Sequence, residues 1–270
     1  MTDLSTYENY RREFTKLSIW YARKRILQGV GDFDDALNQR VNIFRNTSLY
    51  DGKLHPVDGA IIEPWTALLA QIREVFEAHI DDEDTEILEQ ESLAILWPVL
   101  KEAARADRPW QPTLEERPYE SWSFDEGREN QINIHIANTY TPESPLSERR
   151  VHFAAALIRL LEDAQQNNPH IDTVVCGSWL NSVPRFGELF TDAWKQSAEQ
   201  RPEVRYTLGH WGQFTDRRGD FHGPNGARFR AHGEFPYPAL RCSDRIDPTL
   251  EHLRERFPQA VQHNRSVHDG

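Results

Sequence analysis

Apolar residues in the first hundred positions recur at steps of three and four. Tyr7, Tyr10, Phe14, Leu17 and Tyr21 form one such stripe, which predicts an amphipathic helix. Leu37, Val41 and Phe44 predict a second. After turn signals at Asp51-Gly52 and Asp58-Gly59, Pro64 suits the first turn of a third helix. Trp65, Leu68, Leu69, Ile72, Val75 and Phe76 line one face of that helix. A fourth is expected from about 84 to 106, with Pro98 bending or ending it. Asp81, Asp82, Glu83, Asp84 and Glu86 crowd its start, where the helix dipole favours negative charge. A di-iron bundle would need Glu-x-x-His pairs facing inward. No Glu in this half is followed by His three residues later, and Glu77 and His79 fall on different faces.

The pattern changes after "DRPWQPTLEERP" (107–118), whose prolines and missing stripe mark a boundary. In "QINIHIAN", Ile132, Ile134 and Ile136 alternate with Asn133 and His135, the period of a strand. A helix is expected over 147–165, a strand at "IDTVVC" (171–176), a helix over 184–197 and a third strand over 203–211. This rhythm predicts an α/β (α+β) chain. Its expected parts are a helical N-terminal domain (1–115), a layered α/β domain (116–258) and a flexible polar tail (259–270) with bystander histidines.

Composition narrows the partners. Hydrophobic residues make up 38% and aromatics 11%, enough for a core. A net charge of -12 opposes a nucleic-acid partner, which needs a basic face. No apolar run reaches the roughly 18 residues of a membrane span, and the N-terminus lacks an apolar leader core. The expectation is a cytoplasmic protein with no membrane partner. Cys176 and Cys242 are too few for a disulfide scaffold or thiolate zinc site and read as buried thiols.

The junction "VVCGSWLNSVPRF" (174–186) puts Ser178 where a strand hands over to a helix. A nucleophile elbow requires Gly-x-Ser-x-Gly, but here Gly177 directly precedes Ser178 and Leu180 occupies the far position. Ser178 therefore reads as a turn or cap, with Ser182 capping the helix that Pro184 begins. The loop still lies at the C-terminal end of its strand, where α/β sheets place ligands.

The segment "INIHI" before a helix, and the next strand closing in "CGSWL", resemble the α/β half of bacterial GNAT-like acyltransferase proteins. The matching positions are Asn133, His135, Ser178, Trp179 and Leu180, within roughly 130–215. The resemblance implies a GNAT-like fold and acyl transfer from acyl-CoA or a similar thioester to a small-molecule amine or hydroxyl, in specialised metabolism. That family's pyrophosphate loop, Arg/Gln-x-x-Gly-x-Gly/Ala, has no match here. The nearest stretch is "DRRGDFHGPNGARFR" (216–230), where glycines among Arg217, Arg218, Arg228 and Arg230 could present N–H groups and guanidiniums to an anion.

Eleven histidines supply a competing reading. His135, His210, His222 and His232, with Asp216 or Asp220, could ligate a non-haem metal, and "HID" (170–172) imitates a His-x-Asp pair. Three function classes follow: an acyltransferase with His135 as general base, a metal-dependent enzyme, and a non-catalytic small-ligand-binding protein. Under the first, no metal is expected. Its candidate catalytic residues are Asn133, His135, Ser178 and His210. Asn138, Trp179, Asn181, Trp211, Gln213, Arg217, Arg218 and His222 are its candidate substrate-binding residues, with His135 and the arginine turn at one site.

Overall fold

The computed structural model describes residues 4–106 and 117–268, so most of the boundary tract 107–118 lies outside the described residues. The chain begins with α1 (Leu4–Leu27), a π-helical turn (Asp35–Arg40), 3-10 turns at Phe44–Asn46 and Pro56–Asp58, α2 (Glu63–His79) and α3 (Glu86–Ala106). There follow β1 (Trp122–Glu126), β2 (Gln131–Ile136), α4 (Arg150–Asn167), β3 (Thr173–Ser178) and a 3-10 turn (Trp179–Ser182). Next come α5 (Pro184–Gly187), α6 (Asp192–Gln196), β4 (Glu199–Gln200), α7 (Leu208–Trp211), a 3-10 turn (Gly212–Phe214) and α8 (Gly223–His232). The chain closes with β5 (Leu240–Arg245), α9 (Ile246–Arg256) and α10 (Pro258–His268). This is an α/β (α+β) fold: a helical first part, then a mixed five-stranded sheet in the order β1-β2-β3-β5-β4. No described helix is long and apolar enough to cross a membrane.

The chain divides into two compact units, and the second part is not contiguous. Described residues up to 106 join Glu203–Pro236 in the first unit; 117 to Pro202 and Tyr237 onward form the second. The expected 116–258 domain therefore gives up its middle to the helices. The 203–211 tract is no strand either. Tyr206 N–H donates to the Gln39 carbonyl at 3.0 Å, after which 208–211 turns as α7. Its V-x-Y-x-L alternation imitates a strand, but aromatic burial decides. Trp211, Phe214 and Phe229 are fully buried among Phe14, Leu17 and Tyr21, and the Trp211 indole N–H donates to the Arg40 carbonyl at 2.8 Å. Arg230 of α8 clasps Glu89 of α3 with two bonds of 2.8 and 2.7 Å. Such bidentate, partly desolvated pairs are costly to break on one side only.

Within this unit the stripe of α2 buries Trp65, Leu69, Ile72 and Phe76. The helix expected through Leu37, Val41 and Phe44 is instead a π-turn and a 3-10 turn, although all three residues are buried. Pro98 sits inside α3 without ending it.

In the second unit the apolar residues of the strands meet α4. Ile132, Ile134, Val174, Cys176 and Cys242 share one core with Phe153, Leu157 and Leu161. β1 and β2 form an antiparallel pair, β2 and β3 run parallel with α4 between them in sequence, and β5 inserts antiparallel between β3 and β4. The helix expected over 184–197 is two short pieces, because Thr191 caps a fresh start by accepting from the Ala193 N–H at 3.1 Å. Ser182 caps nothing there; its hydroxyl donates to the Pro238 carbonyl at 2.7 Å. The tract after 258, expected to fray, is α10. Asn264 anchors it, donating to the Ala155 carbonyl at 3.0 Å and accepting from Arg159 at 2.6 Å, and His263 meets the edge of the His152 ring.

His55, in the first unit, carries the clearest pH signal. Only 3% exposed, its ring stacks on Tyr206 at 3.9 Å between centroids and meets the Phe44 ring edge-on. Its Nδ1 accepts from the Val57 N–H at 3.1 Å, which requires that nitrogen to be unprotonated. Burial, then the Arg45 charge, push its pKa down to about 4, partly opposed by Asp58. The unfolded chain takes up this proton near 6.5, the folded chain only near 4, so stability is lost as pH falls through that window. The expected loss is on the order of 3 kcal/mol. Urea titrations at pH 7 and pH 4.5 should show a smaller drop in His55→Gln than in wild type; equal drops would contradict the assignment.

Candidate functional site

The alternation that sends Ile132 and Ile134 into the core sends their neighbours to the other face of the sheet. By register, Asp125 pairs with Asn133, Asn133 with Val175, Val175 with Ser243, and Gly177 with Arg241. Residues paired directly across strands share a face. One polar face therefore carries Asp125, Asn133, His135, Gly177 and Arg241, and the sequence alternation predicted this side for Asn133 and His135.

On that face Asp125 organises a small network. Its Oδ2 lies 2.9 Å from His135 Nε2, and its Oδ1 accepts from Asn133 Nδ2 at 2.9 Å. An ionised carboxylate only accepts, so the proton belongs on Nε2, which leaves Nδ1 as the basic nitrogen. The imidazole is 57% exposed, so a reactant can reach it. A base oriented by a carboxylate and open to solvent can take a proton from a bound nucleophile. Asn138, just past β2, accepts from the Tyr140 N–H at 3.0 Å and donates to the Glu143 carbonyl at 3.2 Å, shaping the exit turn.

The parallel ladder next to this dyad is short. β2 and β3 pair only through Gln131, Ile132 and Asn133 with Thr173, Val174 and Val175, although both strands run on by three residues. His135 and Gly177 lie on these unpaired ends, each two residues past the last pair. Arg201 stands directly over Gly177: a β-carbon there would lie 2.1 Å from Arg201 Nη2 and 2.6 Å from Cζ. A side chain at 177 would displace the guanidinium from this position. Arg241, opposite Gly177, reaches Gln131 Oε1 at 3.4 Å.

The loop after β3 is structural. Ser178 is buried, and its Oγ accepts from the Leu180 N–H at 3.2 Å, the cap role that its spacing suggests. Asn181 donates to the Cys176 and Leu240 carbonyls at 3.0 and 2.9 Å and accepts from the Trp194 indole at 3.2 Å, which spends its amide on bracing β3, β5 and α6. Trp179 is half-buried beside the Tyr237 ring.

The other candidates belong to the first unit, whereas His135 belongs to the second. His210, Trp211 and Gln213 are all buried, and Gln213 Nε2 donates to the His210 carbonyl at 2.8 Å. Arg217 and Arg218 are exposed on a turn bridged by Thr215 and Phe221. Asp216 fills that turn, accepting from the Arg218 and Asp220 N–H groups at 2.7 and 2.9 Å, so the turn supplies its own anion. His222 caps α8 through Nδ1, at 3.2 Å from the Asn225 N–H. Gly226 is small because the Phe221 ring occupies the space of a side chain.

Among the described residues no three His, Cys, Asp or Glu side chains gather as a metal-ligand set. Asp172 of the "HID" tract pairs with Arg245 at 3.1 Å and accepts from the Thr173 hydroxyl at 2.7 Å. Cys176 and Cys242 are paired across β3 and β5, both buried as free thiols. Burial, then the neighbouring Cys242, push the Cys176 thiol up to about 12, and burial pushes Cys242 to about 11.

Sequence reasoning missed Asp125, Arg201 and Arg241. For Asp125 a signal existed, since Trp122 and Phe124 alternate with Ser123 and Asp125 as the isoleucines alternate with Asn133 and His135. Nothing local marks Arg201, because its position over Gly177 arises from strand pairing distant in sequence. Compared with known proteins, the chain matches no family model, no curated protein and no solved structure.

This geometry assigns no nucleophile to the 176–178 turn. A fluorophosphonate should leave Ser178 unlabelled, and a thiol reagent should modify Cys176 and Cys242 only after unfolding. Ser178→Ala should cost about 0.5–2 kcal/mol as a lost cap. Labelling of Ser178 in the folded protein, or fast reaction of either thiol, would contradict this.

Proposed function

We propose that the second unit is an acyltransferase that moves an acyl group from acyl-CoA or a similar thioester to a small amine or hydroxyl acceptor. The observation that carries this reading is the exposed Asp125–His135 dyad beside the ends of β2 and β3 that do not pair with each other. Strand ends that stop pairing can offer backbone hydrogen bonds to an extended, amide-bearing ligand, as sheet edges do to peptides. They also lie at the C-terminal ends of parallel strands, the usual ligand position in such sheets.

In this reading His135 Nδ1 takes the proton from the acceptor as its nitrogen or oxygen attacks the thioester carbonyl. Asp125 holds the ring through Nε2–H and balances the imidazolium. The C–S bond then breaks, the acyl group stays on the acceptor, and the proton passes to the leaving thiolate. Asn133 donates to Asp125 at 2.9 Å and so helps to position it. The metal-dependent reading has no ligand set among the described residues to support it.

The test is thiol release from a panel of acyl-CoAs with small amines and alcohols. His135→Ala should lower turnover by roughly 10²–10⁴, the usual worth of a general base. Asn133→Ala should lower it less, since Asp125 keeps its bond to His135. Full activity in His135→Ala would overturn the role of the dyad. Saturable acyl-CoA binding without turnover across the panel would favour the non-catalytic alternative.

A further inference from the structure

We propose that Ser123 is the first acceptor of the acyl group, a nucleophile that completes a Ser123–His135–Asp125 triad on the polar face of the sheet. The transfer then runs in two steps through an ester on Ser123, and in that respect it rests on the acyl-transfer reading. A serine activated in this way also hydrolyses esters and thioesters when water takes the acceptor's place.

Strand register supplies the placement. Ser123 is paired with His135 across β1 and β2, and Asp125 stands two residues further along β1, so all three side chains leave the same face. Directly opposite residues of an antiparallel pair hold their β-carbons roughly 4.5–5.5 Å apart, whereas diagonal neighbours lie roughly 7–8 Å apart. The two imidazole nitrogens divide along that difference. Asp125 is the diagonal neighbour of His135, and its carboxylate meets the distal nitrogen, Nε2, at 2.9 Å. Nδ1 lies nearer the backbone and is the basic nitrogen that remains, and the short side chain directly opposite is Ser123. Ser123 is exposed, like the ring, so a substrate can reach both. Its hydroxyl makes no hydrogen bond among the described residues, and nucleophile–base bonds commonly close only once substrate is seated.

The edge of the sheet adds a donor. β1 is the outermost strand among the described residues. The Ala137 N–H donates to the Ser121 carbonyl at 2.9 Å and the Gly127 N–H to the Gln131 carbonyl at 2.8 Å, so the odd-numbered residues of β1 exchange the ladder bonds with β2. The N–H of Phe124, next to Ser123 in the chain, therefore points out of the edge, where it can donate to the oxyanion of a tetrahedral intermediate on Ser123. In the first step Ser123 Oγ gives its proton to His135 Nδ1 and attacks the thioester carbonyl; the C–S bond breaks and the thiolate takes that proton. In the second the amine or hydroxyl acceptor, or water, gives a proton to Nδ1 and attacks the ester; the bond from carbonyl carbon to Oγ breaks and Oγ takes the proton back.

A fluorophosphonate and p-nitrophenyl acetate serve as probes on the full chain, with the modified residue found by peptide mass spectrometry. Both should modify Ser123, the acetate with a burst of about one equivalent of nitrophenol per chain. Modification should vanish in Ser123→Ala and slow roughly 10²-fold or more in His135→Ala. Ser123→Ala should lower thiol release from acyl-CoA as far as His135→Ala does, and the double variant no further, since residues that act as a unit fall together. Ser123→Cys, which keeps a nucleophile, should still be acetylated at position 123 and supplies the check if the alanine variant folds poorly. Labelling of Ser123 without thiol release from any acyl-CoA keeps the triad and removes the acyl-CoA reading. Thiol release undiminished in Ser123→Ala overturns the triad and leaves direct transfer to the acceptor. A Ser123 that takes neither probe overturns the triad as well.

Discussion

The two-residue period of β2 and β3 is the constraint on which the site depends. A strand cannot bury one neighbour without turning the next to the other side, so the isoleucines that close the core over α4 force Asn133 and His135 onto the polar face. Strand pairing then extends that division sideways. Asp125 arrives beside His135 from β1, and Arg241 arrives beside Gly177 from β5. Slipping β2 by one residue would turn Asn133 and His135 into the core and expose its isoleucines. Core burial and site assembly are therefore one event.

The same sheet explains why chemistry and bracing separate around β3. Side chains on the core side, Cys176 and Ser178, are enclosed, and the Ser178 hydroxyl accepts from the Leu180 N–H. The opposite side has Gly177, where the absence of a side chain leaves room for the Arg201 guanidinium. The loop beyond is held by Asn181, whose amide satisfies carbonyls of two strands and the indole of a third element. Both of its N–H donors are thereby committed to the fold. The free-energy cost of leaving those carbonyls unpaired in a buried place would exceed what one contact to a substrate returns.

A different constraint governs the first unit. Its helices present aromatic faces that need covering, and the chain returns from the second unit to supply Trp211, Phe214 and Phe229. Tyr206 and Arg230 fasten the returning segment at two further places, through the Gln39 carbonyl and the Glu89 carboxylate. Prolines stand at both crossings, at 202 and at 236 and 238, where the backbone must leave one unit without continuing a strand or helix.

The periodicities of the sequence by themselves determined the helices α1 to α3, the strand at 131–136, the crossover helix α4 and the strand of Val174 and Val175. They also determined that His135 and Asn133 share a polar side, because local alternation decides which way a side chain points. Spacing alone was enough to deny Ser178 the elbow and make it a cap. What only tertiary structure decided was partnership. Asp125, Arg201 and Arg241 reach the site through pairings between distant segments, and no short window encodes them. The tract 203–211 has a strand's alternation yet becomes a helix-bearing segment of the other unit, since burying three large aromatic rings outweighs a local extended preference. Polar α10 has no apolar stripe to announce it, and its place is set by Asn264 against α4. Local pattern specifies direction and period, whereas the partners are specified by which distant surface can satisfy a buried ring or a polar group.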